Sequence, residues 1–323
     1  MKMMIHLLLV FGFLSGTVST EAAVRESKTL DGTWRFSTDP AGIGEKEKWF
    51  EPYAKMLKMP LKGYGATANG TIQVPGIWTN QGYGDPFDPK TYQHTPGHYP
   101  WKPGGDVPTD MLKHQFIGKG WYKRTFTIPS AWQGQKINVV LGGISRYAKI
   151  WINGQSAGPE AIGCIAPHER EITKLVRFDA ENDITICVDS KQRFEIDTLY
   201  ACSSMGDFMQ LPWGGLWGHV SLEARPNVCL DSLYLRGNIQ TSTCTAETTV
   251  LADTPVDKDC VLRLNIFDKT GKSVAQGESP VRKAGEKTCV SASIPNAILW
   301  SPDTPHLYDV QVSLLYKGKV IDR

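Results

Sequence analysis

The sequence predicts an all-β protein of two domains, and three observations lead there. Short runs along the whole chain alternate apolar and polar residues, with Gly, Pro, Asn or Asp between them, which is the two-residue period of half-buried strands bounded by turns. No segment carries a long helical period. Near Ala224-Arg225-Pro226-Asn227 the text changes from long Trp-rich connections to short ones, which marks a boundary between residues 24–224 and 225–323. Many short antiparallel strands of this kind build sandwiches or barrels.

The elements follow in order. Strands are expected at TWRFS (33–37), TIQVP (71–75), WYKRTFTI (121–128), KINVVLG (136–142) and AKIWIN (148–153). Further strands are expected at DITICVD (183–189), HVSLEA (219–224), DSLYLRG (231–237), CVLRLNIFD (260–268) and TCVSASI (288–294). Asn153-Gly154 suits a hairpin turn with positive φ at both central residues. EKEKWFEPYAKMLK (45–58) has the composition of a short helix, interrupted at Pro52. At the far end Tyr308, Val310, Val312 and Leu314 alternate with polar residues, Lys317-Gly318 turns the chain, and Lys319 opens a return strand. That hairpin is expected to be cut short, leaving the second domain, of immunoglobulin-like size, without its last strands.

The bulk composition narrows the function. Apolar residues make up 41% and charged residues 21% of 323, as in globular proteins. A formal charge of +2 with no run of Lys and Arg gives no electrostatic case for nucleic acid or acidic membranes. Ten Trp, eleven Tyr and eleven Phe are abundant; such rings anchor cores and also pack on the apolar faces of sugars. Lys2, the apolar run Leu7 to Leu14 and the small residues up to Ala23 read as a signal peptide over residues 1–23. The apolar run is too short to span a bilayer, so an exported, periplasmic or extracellular protein is expected. The seven cysteines lack the close pairs of a zinc site, and several sit in strand text where Cys acts as a small apolar residue.

One stretch breaks the pattern. Between Trp78 and Trp121 the chain is rich in Gly, Pro and aromatic residues and has no period. Long irregular loops of this kind in compact domains commonly bind ligands. Tyr83, Phe87, Tyr92, Tyr99 and Trp101 are too dense for a disordered segment. Trp78, Trp121 and Trp151, beside or within alternating strands, read instead as core.

Six stretches, in order, resemble the N-terminal part of family 2 glycoside hydrolases, the group of β-galactosidases, β-glucuronidases and β-mannosidases. They are LDGTWRFSTDP (30–40), VPGIWTNQGYGDP (74–86), GWYKRTFTIP (120–129), LGGISRYAKIWINGQSAG (141–158), WGGLWGHVSLEARP (213–226) and LWSPDTPHLYDVQVSL (299–314). The resemblance implies a jelly-roll β-sandwich that binds sugar, followed by an immunoglobulin-like β-sandwich. It also implies a third domain, a (β/α)₈ barrel of roughly 250 residues that holds the chemistry, for which the 323 residues leave no room.

Retaining glycosidases use two carboxylates about 5 to 5.5 Å apart. In the family both are Glu on the barrel, one after an Asn, and this sequence has no Asn-Glu dipeptide. No catalytic residue is therefore assigned, and the chain alone is expected to be inactive. Asp85, Asp88, Glu160, Glu169 and Glu171 are loop or turn carboxylates, which usually cap turns or face solvent. His94 and His98 flank Pro96 and Gly97, which denies them a helical metal spacing; no metal or cofactor is expected.

The resemblance further implies that the first domain lends loop residues to the rim of the sugar pocket. The matching loops are Gly82 to Tyr92, where Lys90 stands at the place of a galactosidase Asn, and Gly206 to Trp213, where Asp207 takes the polar role. The candidate substrate-binding residues are Tyr83, Asp85, Lys90, Tyr92, Tyr99, Trp101, Asp207 and Trp213. The expected partners are a β-glycoside, the absent barrel and a second copy in a homo-oligomer. Two other readings stay open: a free-standing carbohydrate-binding module, and a structural β-sandwich of the cell envelope. The unpaired strand edge argues against the first of these, since such edges invite aggregation.

Overall fold

The computed structural model describes residues 25–51, 70–86, 114–164, 166–191, 193, 214–253 and 255–323. The first thirteen strands are β1 (Glu26–Thr29), β2 (Gly32–Asp39), β3 (Thr71–Val74), β4 (Asp85–Pro86), β5 (His114–Gln115), β6 (Lys119–Thr127), β7 (Lys136–Leu141), β8 (Tyr147–Ile152), β9 (Gln155–Ser156), β10 (Ala161–Ile162), β11 (His168–Glu171), β12 (Glu181–Asp189) and β13 (Val220–Arg225). One sheet runs β1-β13-β7-β11 and the other β10-β8-β12-β6-β2-β3, with β9 paired to β8. Their facing sides share one core: Val139, Leu141 and Leu222 from the first sheet meet Phe36, Tyr122, Ile150 and Ile186 from the second. The β8–β9 turn forms as its sequence requires, with Asn153 at φ 51° and Gly154 at φ 81°.

The larger sheet is covered on its outer side as well. Trp121, Trp151 and Cys187 form a second apolar cluster there, under Trp49 and Phe50. Phe50 stacks on Trp151 at 5.1 Å between centroids and Trp121 on Trp151 at 5.4 Å. Asp39 ties the covering segment down: its carboxylate accepts from the Ile43 and Gly44 amides at 2.9 Å each and from Trp121 Nε1 at 3.1 Å. The described part of the stretch expected to hold a helix, residues 45–51, forms hydrogen-bonded turns instead, such as Glu47 N–H to the Ile43 carbonyl. Its role is to cap the sheet. This lid also explains a buried ion pair in mid-strand, Lys123 with Asp183 at 3.5 Å.

The second sandwich contains β14 (Val228–Asn238), β15 (Thr243–Ala252), β16 (Cys260–Phe267), β17 (Ser273–Pro280), β18 (Lys287–Ser293), β19 (Asp309–Tyr316) and β20 (Lys319–Asp322). Its sheets run β14-β15-β18 and β17-β16-β19-β20, and Ala246, Val250, Leu262, Leu264, Ile266 and Leu314 fill the space between them. Lys317 and Gly318 have φ 48° and 78°, the turn expected between β19 and β20.

The two sandwiches are joined by an ion pair of Lys136 with Asp253 at 2.7 Å and by a clasp at Arg25. Arg25 grips Asp322 through two bonds of 2.7 and 2.6 Å and also donates to the Leu230 carbonyl at 2.5 Å. Asp322, fully buried, accepts the Leu230 amide at 2.6 Å as well. Among the described residues no helix is long and apolar enough to cross a membrane.

Candidate functional site

Trp78 is the hub on which the two candidate loops are rooted. It is fully buried, and its indole N–H donates to the Phe116 carbonyl at 3.2 Å, where the chain returns from the aromatic loop. Its amide donates to the Gly214 carbonyl at 2.9 Å, where the chain returns from the second loop. Gly76 N–H bonds the Leu216 carbonyl at 2.7 Å, and His114 Nδ1 lies 3.2 Å from the Thr79 carbonyl. The contact tolerates no side chain at 214: a Cβ there would sit 1.8 Å from Trp78. The sequence places glycine where the backbone must touch a ring. Both loops therefore leave one rigid edge of the sandwich.

Beside this root lies a polar cluster that the sequence reading missed. Arg193 clamps Glu160 with two bonds of 3.0 Å, approaches Asp189 at 3.7 Å and lies 3.5 Å over the Tyr147 ring. Burial is the largest influence and opposes the Arg193 charge, but the Glu160 hydrogen bond together with the charges of Glu160 and Asp189 outweighs it and raises the guanidinium. Arg146, at φ 82°, donates to the Ser190 carbonyl at 2.6 Å. Ser190 in turn bonds Gly118 through its amide, at 2.9 Å, and its hydroxyl. The available signal at Arg146 was an arginine beside apolar strand text, GISRYAKI; Arg193 lies in polar text, DSKQRF, which gave none.

The structure separates the sequence-stated candidates. Tyr83 is a correction: its ring packs on Phe36 at 4.4 Å and its hydroxyl donates to the Thr71 carbonyl at 2.7 Å. It belongs to the core, and burial pushes its phenol up to about 12. The ring is spent on Phe36, so it offers no face to a ligand. Asp85 is exposed in β4, opposite Gln115, at the mouth of the aromatic loop. Lys90, Tyr92, Tyr99, Trp101, Asp207 and Trp213 lie outside the described residues, as do Asp88, His94 and His98. Trp78, Trp121 and Trp151 are buried, as their strand context requires.

Three of the carboxylates singled out in the sequence have structural partners. Glu160 is held by Arg193, Glu169 by Arg225 at 2.7 and 2.8 Å, and Glu171 accepts from the Thr173 hydroxyl at 3.0 Å. Arg225 also holds Glu223 at 2.6 Å, and the Glu169 and Glu223 bonds raise the guanidinium against the burial that opposes its charge. The described part of the site thus supplies a rigid frame and hydrogen-bonding groups.

Comparison with known proteins agrees with this frame. Residues 27–226 match the sugar binding domain of glycosyl hydrolases family 2, and residues 229–323 match a second domain of that family. A beta-glucuronidase of Paenibacillus borealis is 23% identical over 91% of this chain and 43% of its own length. A beta-galactosidase of Thermoanaerobacter pseudethanolicus is 24% identical over 62% of this chain and 27% of its own. Among solved structures, a β-glucuronidase from Ruminococcus gnavus in complex with D-glucaro-d-lactam has the same fold, with a TM-score of 0.65 at 19% identity over 92% of this chain and 44% of that one. The chain spans less than half the length of these relatives. It belongs to family 2 of the glycosyl hydrolases.

Proposed function

We propose that this chain is the non-catalytic N-terminal portion of an exported family 2 glycosidase that cleaves a β-glycoside. The observation that carries the reading is the pair of family 2 domains, in order, over a chain that covers 43% of a beta-glucuronidase. In this reading residues 1–23 direct export and are removed. The first sandwich presents the loops rooted at Trp78 to the rim of a sugar pocket, through Asp85, Lys90, Tyr92, Tyr99, Trp101, Asp207 and Trp213. The second sandwich positions a catalytic barrel supplied by the rest of the protein. The rigid loop root supports this division of labour, because rim residues discriminate between sugars only when their backbone is fixed.

The test has two parts. The intact mass of the protein recovered from its source cells should exceed that of this chain by at least a barrel, roughly 250 residues. The purified 323-residue chain should hydrolyse none of the p-nitrophenyl β-glucuronide, β-galactoside and β-mannoside. Turnover by this chain alone, or a native mass equal to it, would defeat the proposal. In the second case, sugar affinity lost on Trp101→Ala would favour a free-standing binding module.

A further inference from the structure

Lys123 and Asp183 take no part in the loop root or in the joining of the two sandwiches, yet the ladder brings them together. Lys123 of β6 stands directly opposite Thr185 of β12, and Asp183 lies two residues along the same strand. Alternate residues of a strand share a face, so Lys123, Asp183 and Thr185 project from one side of the sheet. Diagonal neighbours of this kind are within reach of a long side chain. The lysine Nζ lies 3.5 Å from Asp183 Oδ2. The same face carries Trp121 and Trp151, which lie under Trp49 and Phe50.

The pair is shut away from water. The Lys123 side chain has no exposed surface, and that of Asp183 is 8% exposed. Lys123 donates to the Glu51 main-chain carbonyl in the covering segment, which fixes its head group. The acid is less well served. Among the described residues neither oxygen of Asp183 accepts a hydrogen bond, and the buried Thr185 hydroxyl has no partner. A buried ion pair keeps its charges only where further hydrogen bonds satisfy them. Burial therefore moves the proton from the amine toward the acid. It lowers the Lys123 ammonium and pushes the Asp183 carboxyl up to about 6. The partner's charge opposes each shift, Glu51 also opposes the first, and Glu181 adds to the second.

A neutral amine against a neutral acid is a reactive pair. In water the two ionise each other and stop there: an ammonium has no lone pair, and a carboxylate repels a nucleophile. A dry, apolar site removes that obstacle, as it does for other desolvated lysine nucleophiles. Holding the groups in contact raises their effective concentration as well, to on the order of 10⁵ M or more where the alignment is good.

We propose that Lys123 and Asp183 condense to a side-chain amide that links β6 to β12 covalently. The Nζ lone pair attacks Cγ of the protonated carboxyl, and a proton from the nitrogen passes to the departing hydroxyl. The bond formed is Nζ–Cγ and the bond broken is Cγ–OH. One water leaves, and nothing is oxidised or reduced. Thr185 is placed to relay the proton, since its unpartnered hydroxyl stands on the same face opposite Lys123. The product replaces two poorly satisfied buried ions with one neutral amide. The strands are already adjacent in the sheet, so the backbone need not move. A chain that has not reacted keeps the ion pair and its response to pH. The inference rests on this pair and not on which sugar the protein binds.

The experiment weighs the purified 323-residue chain by mass spectrometry after incubation at neutral pH and denaturation. The parent should be lighter by one water than its residues predict, while Lys123→Met and Asp183→Ala should show no loss. Tryptic digestion of the parent should leave Lys123 uncleaved, in a branched peptide joined to the fragment that carries Asp183. That peptide needs no variant, so it stands even where a substitution prevents folding. Asp183→Asn, whose amide has the shape of the acid, should lose one ammonia instead of one water. A folded parent at full mass after prolonged incubation would overturn the proposal. So would a water lost equally by the parent and by Lys123→Met, since the loss would then lie elsewhere, as in ring closure at Asp31-Gly32.

Discussion

Gly214 and Trp78 touch backbone to ring, so that a single added carbon at 214 would overlap the indole at 1.8 Å. Gly214→Ala must displace the tryptophan from a fully buried site between Phe36 and Phe116. Overpacking of this kind costs about 1–3 kcal/mol. The expected result is a lower denaturant midpoint together with a change in near-ultraviolet circular dichroism from the tryptophans. A variant as stable as the parent would show that the loop root is pliable.

Tyr83 separates packing from ligand contact. Tyr83→Phe keeps the ring against Phe36 and removes the bond to the Thr71 carbonyl. The expected cost is about 1 kcal/mol, read by urea unfolding. Affinity for any sugar should not change, because the ring faces the core. A selective loss of sugar binding with full stability would return Tyr83 to the pocket.

The Arg25 to Asp322 pair should be among the most sensitive contacts. Asp322→Ala removes the acceptor for Arg25 and for the Leu230 amide at once. Breaking a buried pair by deleting one partner costs about 3–5 kcal/mol. Asp322→Asn, which keeps the shape but not the charge, should fall between. Calorimetry should show the loss in the unfolding of the second sandwich, whose strand β20 carries the residue.

Asp183 makes stability depend on pH. Burial pushes its carboxyl up to about 6 while Lys123 pulls it down, and burial also lowers the Lys123 ammonium. The folded state therefore binds the Asp183 proton more tightly than the unfolded chain, whose carboxyl titrates near 3.8. The stability this proton contributes is complete below that value and is lost as pH rises through about 6. Relative to Asp183→Asn, the Tm of the parent should fall by about 2 °C or more between pH 4 and pH 7. Parallel Tm curves for the two proteins would show that the carboxyl does not titrate in this window.

How much of this was legible depended on contrast between alternate residues. β16 read directly because its inward residues Cys260, Leu262, Leu264 and Ile266 are all apolar and buried while Arg263 and Asn265 face outward. β15 escaped notice because its inward positions Cys244, Ala246 and Thr248 are small or hydroxyl-bearing. β1 and β11, ESKT and HERE, are short and charged and owe their form to the neighbours they pair with. Lys123 reads as a solvent-facing residue until the segment bearing Trp49 and Phe50 is laid over it. The loop roots were visible as glycines and tryptophans, but the fate of Tyr83 depended on how its loop folds back on Phe36. Arg193 and Glu160 stand 33 residues apart, and no local pattern joins them.

The clasp of Arg25 on Asp322 joins residues 297 positions apart. During synthesis the N-terminal sandwich emerges and folds first, while its arginine waits for a partner in β20, which is made only after six other strands of the second sandwich. Closing so long a loop is entropically slow, so the clasp is among the last contacts to form. Until then Arg25 remains within reach of chaperones and proteases, and its closure records that the first sandwich has met β20 of the second.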